Sequence, residues 1–245
     1  MADDSIRLNH KSWLKHKNDQ WEKIISNNEE DKYNDFFQSI IDHAISLDDS
    51  IKMEESFGFL YSCYMQLVRI GKPPILPALN SLSCIGYEEY TKGKNAIAEI
   101  AFKLSFMSGD DNGRNNYGYM LRRGEVIKSK EDASLMALKV LRQGIIELKP
   151  FEYVNLALTF SLCFGTEQDW RIADLLFKRM PNTSTYSILS WWQDIAMKGE
   201  TEGLLVHYFL MRHNKTIKSE LGTIQDIWTK LQKELPSIPN WLKPE

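Results

Sequence analysis

Three observations predict an all-α fold built from stacked antiparallel helix pairs. Apolar residues recur at helical spacing along most of the chain. Only 13 Gly and 8 Pro occur in 245 residues, with no hairpin dipeptides between alternating segments, which argues against a sandwich or barrel. Small residues also repeat at long period: Gly118, Ala157 and Ala196 stand 39 apart, each on a short helix that a partner must approach closely.

Taken in order, a first helix spans roughly residues 5–26, carries Trp13 and Trp21, and breaks at the Asn27–Asp31 cluster. Phe37, Ile40, Ile41, Ala44 and Ile45 form the apolar stripe of a second. A third runs from about Ile51 to Ile70 and stops at Gly71, with Pro73-Pro74 beyond it. Pro77 opens a short helix through Tyr90, and Asn95–Met107 and Asn112–Arg123 form the next pair. Ser129 and Asp132 have capping-box spacing. The helix they open places Ala133, Met136, Ala137, Val140, Leu141, Gly144, Ile145 and Leu148 on one packed face. Phe151–Cys163 is apolar all round and reads as buried. Thr166 caps a helix that ends at Pro181. Tyr186–Lys198 and Glu202–His213 form one more pair, separated at Gly199. A last helix carries Ile217, Leu221, Ile224, Trp228 and Leu231, before a proline-marked tail in which Trp241 and Leu242 can dock back.

Hydrophobic content of 43% and aromatic content of 11% support a packed chain rather than a disordered one. The net charge of −3 is unevenly spread. Residues 1–57 hold 7 basic and 13 acidic side chains, a net of −6. That segment is either a solvated set of helix faces or a surface for a basic partner. Cys63, Cys84 and Cys163 are too few and too scattered for a disulfide scaffold or a zinc site, and a reducing cytoplasm fits them best. No secretory signal is visible, and no apolar run approaches a membrane span.

The run Asn115-Asn116-Tyr117-Gly118-Tyr119-Met120, then Gly124-Glu125-Val126, then Asp132-Ala133, resembles a Sel1-like repeat, a relative of the tetratricopeptide repeat. The first loop glycine of that pattern is missing, since Arg122 precedes Arg123-Gly124. A second copy at Asn155–Phe177 keeps Gly165 and Ala173 but loses the valine, and a third around Asp194–Met197 is fainter. In the long helices Ala98, Ala133, Ala173 and Gly203 play the matching small-residue part. The resemblance implies a right-handed α-solenoid whose first helices line a concave protein-binding face. It divides the chain into an irregular N-terminal helical cap at 1–90, a repeat array at 91–213, and a capping helix with tail at 214–245. The alternative is an irregular helical bundle in which Gly118 and Ala157 are ordinary packing residues.

Catalytic signatures are absent. The five histidines form no His-Glu-x-x-His arrangement, and His207 reads as a core or boundary residue. No phosphate loop, dinucleotide fingerprint or nucleophile elbow occurs. Residues 114–149 carry 8 basic and 4 acidic side chains, too short a stripe for nucleic acid in an acidic chain. The adjacent Trp191 and Trp192 diverge by about 100° on a helix, so one can be core while the other faces outward. The expectation is a non-catalytic protein-binding scaffold, without cofactor or metal, that binds neither nucleic acid nor membrane. Small proteins with Sel1-like repeats resemble immunity proteins that neutralise a bacterial toxin; a regulatory adaptor is the alternative, and a hydrolase or transferase with an unrecognised site stands third. The repeat alignment places Asn116, Tyr119, Arg123, Asn155, Thr159, Trp192 and Lys198 outward as partner-binding residues. The sequence leaves the oligomeric state open.

Overall fold

The structure is a computed structural model that describes residues 2–71, 76–127, 129–181 and 185–244. It is all-helical, with 78% of residues in helices and no β-strand among the described residues. The chain forms two compact units, Met1–Tyr117 and Gly118–Glu245.

The first unit contains α1 (Ala2–Ser26), α2 (Tyr33–Ile45), α3 (Ser50–Arg69), α4 (Pro77–Asn80), α5 (Leu82–Thr91), α6 (Asn95–Met107) and the start of α7 (Asp111–Arg122). Asp49 caps α3 by accepting from the amides of Ile51 and Lys52. The helix ends beside Gly71 as expected, while Pro73-Pro74 lie outside the described residues. The segment expected as one helix from Pro77 is two, divided at Ser81, whose hydroxyl donates to the Ala78 carbonyl. Trp21, Phe37, Ile40, Phe57, Leu60 and Tyr64 make the core of this unit. Trp21 stacks on Phe36 at 5.0 Å, and its indole N–H donates to Gln66. At Gly86 an added Cβ would meet the Phe102 ring at 2.7 Å, so α5 and α6 lie unusually close.

The second unit contains α8 (Lys130–Ile146), α9 (Pro150–Leu158), α10 (Glu167–Arg179), α11 (Thr185–Met197), α12 (Thr201–His213) and α13 (Ile224–Glu234). Ser129 caps α8 through the Asp132 amide, and Thr166 with Asp169 forms a reciprocal capping box on α10. α9 widens into a π-helical turn over Thr159–Phe164. There the hydroxyls of Thr159 and Ser161 donate back to the carbonyls of Asn155 and Ala157, the kind of back-bonding that loosens a helical ladder. α9 packs on α10 and α11 on α12; α9 also touches α11, and α10 touches α12. Trp170, Trp192, Tyr208, Phe209 and Trp228 dominate this core, with Phe177 stacked on Phe209 at 4.7 Å.

Each recurring small residue faces a packed side. Ala98, Ala133, Ala157 and Ala173 are essentially inaccessible, and Ala196 is 7% exposed. A Cβ on Gly118 would come within 2.6 Å of Leu141 Cγ, and one on Gly203 within 2.6 Å of Ala196 Cα. Those contacts join the end of α7 to α8, and α11 to α12.

Two expectations fail locally. Leu148, counted on the packed face of α8, lies beyond the helix end, is 61% exposed, and has φ +58. It occupies the left-handed closing position that glycine usually fills, with the Lys149 amide reaching back to the Gly144 carbonyl. Met136, from the same stripe, is 38% exposed. The last helix starts at Ile224, not near Ile217, because Gly222 turns at φ +116 and Thr223 with Asp226 forms a capping box.

Gly203→Ala should cost more stability than Gly118→Ala. The first insertion meets the Ala196 backbone, which cannot yield, and overpacking of this kind costs about 1–3 kcal/mol. The second meets only the Leu141 side chain, which can change rotamer. Urea unfolding of both variants checks the order.

Candidate functional site

The residues expected to face a partner divide sharply. Asn155 is 3% exposed, Thr159 is inaccessible, and Trp192 is 1% exposed. All three are inward, contrary to expectation. Thr159 spends its hydroxyl on its own helix, and Trp192 belongs to the stripe Ile188–Trp192–Ala196, an i, i+4, i+8 series that is buried throughout. The outward tryptophan of the pair is Trp191, at 43% exposure. It shares the exposed side of α11 with Ser187, Ser190, Asp194, Met197 and Lys198. Met197 is 70% exposed. Asn116 is half-buried, with the Asn115 amide 3.4 Å from its side-chain oxygen.

Tyr119 and Arg123 enter a polar seam of the second unit. The buried Arg122 guanidinium makes a two-pronged pair with Glu202 at 2.7 and 2.8 Å. Arg123 binds Glu200 at 2.7 Å, Glu125 at 3.0 Å and the Tyr119 hydroxyl at 3.1 Å. Both guanidiniums lie over the Tyr119 ring, at 5.2 and 5.5 Å. Burial works against charge on Glu202, but the hydrogen bond and charge of Arg122 outweigh it and hold the carboxyl below its ordinary value. Burial likewise opposes the Arg123 cation, and Glu200 overrides it. Arg123 is thus committed within the chain rather than offered to a partner.

A second clamp fixes the tail. The Leu242 carbonyl accepts from the Tyr208 hydroxyl and from Arg212 Nη1, and Arg171 lies over the Trp241 ring at 4.9 Å. Asp174 accepts from His213 at 2.9 Å and Arg212 at 3.2 Å. His207 is buried against Ser219 at 2.8 Å, a core residue as expected.

Sequence reasoning missed one cluster in the first unit. His10, Trp13 and His43 form a stack, with Trp13 and His43 centroids 3.7 Å apart. His43 Nε2 is 3.4 Å from His10 Nδ1, and His10 Nε2 is 3.4 Å from the Glu55 carboxylate. Lys52, buried and paired with Asp49 at 3.1 Å, closes the side, and Lys17 lies over the Trp13 ring. His10 and Trp13 are an i, i+3 pair on α1, a legible signal; nothing in the sequence ties them to His43, 33 residues away. Asn9, His10, Trp13, His43, Leu47 and Lys52 line a cavity of about 190 Å³, below the roughly 300 Å³ at which ligand pockets begin. Among the described residues, no Ser, Thr or Cys lines it.

The surface of α1–α3 is more acidic than composition implies. Lys52 is buried and Lys17 half-buried, so the exposed cations Lys11, Lys15, Lys23, Lys32 and Arg69 are outnumbered by exposed Asp19, Glu22, Glu30, Asp31, Asp35, Asp42, Asp48, Glu54 and Glu55. Among the described residues, no group of three His, Cys, Asp or Glu side chains is placed to hold a metal ion, and no helix is long and apolar enough to cross a membrane.

No protein-family model matches this chain, and no curated protein or solved structure matches it.

Glu202→Gln should destabilise the protein by about 3–5 kcal/mol, since it leaves a buried guanidinium without its counter-charge. Because the Glu202 carboxyl titrates below its ordinary value of 4.5, its contribution holds above that pH and is lost on acidification below it. Denaturant midpoints of wild type and variant should therefore converge as pH falls.

Both imidazoles of the stack titrate below the ordinary 6.5. Burial is the chief cause for each; the charges of His10 and Lys17 add to it at His43, while Glu55 opposes it at His10. The unfolded chain then binds more protons in the window below pH 6.5, so stability falls as pH drops through it. His43→Phe keeps a ring on Trp13 and removes one titration. Its stability, followed by thermal melting from pH 7 to pH 5, should depend less on pH than that of the wild type.

Proposed function

We propose that this chain is a non-catalytic protein-binding scaffold of the cytoplasm. Its second unit is read as part of a right-handed α-solenoid of Sel1-like helix pairs. The inward placement of every recurring small residue supports that reading, as do the α9–α11 and α10–α12 contacts, in which like members of successive pairs meet. One observation carries the binding role. The exposed side of α11 presents Trp191 and Met197 beside Lys198, on a helix whose opposite side is wholly buried. Tryptophan is among the residue types most enriched in interface anchors.

Within that role, the acidic surface of α1–α3 favours a basic protein partner over nucleic acid or membrane. The finer reading is an immunity protein whose acidic faces stand in for the nucleic acid that a basic nuclease toxin expects. A regulatory adaptor uses the same α11 surface with a housekeeping partner. The Glu55–His10–His43 line favours a hydrolase or transferase as the reading from another class, but the cavity it faces is small and has no Ser, Thr or Cys among its described lining residues.

The test is site-specific photocrosslinking from position 191, followed by purification of the captured protein and titration against this chain. A single adduct is expected, with a 1:1 complex. Trp191→Ser should weaken that complex by about 30-fold, the scale of a 2 kcal/mol anchor. Inhibition of the partner's own activity at equimolar ratio selects the toxin reading. No adduct at position 191, or a complex indifferent to Trp191→Ser, overturns the assignment of α11.

A further inference from the structure

The outward stripe of α8 is Leu135, Lys139, Arg142 and Ile146, at i, i+4, i+7 and i+11. Leu135 is 52% exposed and Ile146 is 74% exposed, so the stripe has apolar ends. Its middle is cationic, and neither Lys139 nor Arg142 has an ion-pair partner among the described residues. It spans about 16 Å along the helix. The first unit carries the opposite pattern where α2 turns into α3. Ile45 and Ile51 are 50% and 58% exposed there. Asp48 between them, and Glu54 one turn on, are exposed and also without an ion-pair partner among the described residues.

We propose that the chain associates with a second copy of itself, the α8 stripe of one molecule seating on the α2–α3 corner of the other. The two surfaces match: both expose large apolar side chains, and each carries unpaired charge of the sign opposite to the other's beside them. Charges already neutralised inside the chain, as Arg123 is by Glu200, gain little from a partner; these four have no such commitment. The contact joins unlike surfaces, so it either closes reciprocally as a pair or repeats as a longer series. It makes no use of the α11 surface and does not depend on any outside partner.

Sedimentation velocity of the full chain, from low micromolar to several hundred micromolar, tests the proposal. The average mass should rise with concentration, and the rise should collapse in about 1 M NaCl, where the Debye length is about 3 Å. The double variant Lys139→Glu/Arg142→Glu should weaken association by about tenfold or more, the scale of close charge pairs. Asp48→Lys/Glu54→Lys should do the same. All four positions are exposed, and circular dichroism confirms that each variant is folded. Mixed together, the two variants should associate again, because the acidic α8 of one now meets the basic corner of the other. A chain that stays monomeric throughout overturns the proposal. So does self-association unchanged by either variant, or variants that weaken it but fail to complement on mixing.

Discussion

Close approach of helix backbones at side chains of one carbon or none is the constraint on which the rest depends. At Gly203 the neighbouring helix is so near that a methyl group would strike the Ala196 main chain. At Gly144 the same space is filled by Glu152, a carboxylate buried to 1% exposure. A bulky residue at any of these points would push two elements apart and open the core behind it.

That closeness sets the electrostatics. Once α12 is drawn against α11, its N-cap Glu200 and first-turn Glu202 meet the end of α7, where Arg122 and Arg123 stand. The arginines sit at a helix C-terminus, where the helix dipole already favours a cation. The structure adds a carboxylate for each, so an apparent basic patch becomes an internally neutralised seam.

The fold was largely legible because periodicity is a local property. Helix ends at Met107 and His213, and within one residue at Arg122, followed from glycine stops and the end of an apolar stripe. The late start of α13 was not, since the Thr223–Asp226 capping box lies inside a run that keeps helical spacing upstream. The candidate surface was less legible, for a definite reason. Repeat alignment assigns a side chain to a face by analogy of position, and Asn155, Thr159 and Trp192 sit at positions this chain has turned inward. The i, i+4, i+8 series through Ile188, Trp192 and Ala196 would have identified the correct tryptophan without any repeat model. The His10–Trp13–His43 stack needs tertiary structure, because nothing local selects a histidine on another helix.

Net charge is a poor guide to what such a molecule meets. Folding removes charges selectively: Lys52, Arg122 and Glu152 go inside, and each removal changes the sign balance of what remains outside. A total of −3 then conceals an acidic surface on α1–α3 and a cationic stripe on α8. At physiological salt the Debye length is about 8 Å, half the length of that stripe, so an approaching macromolecule responds to the local surface and not to the sum. The chain's composition therefore constrains its fold, through the apolar and small residues, far more tightly than it constrains its partners, which respond only to the charges that packing left outside.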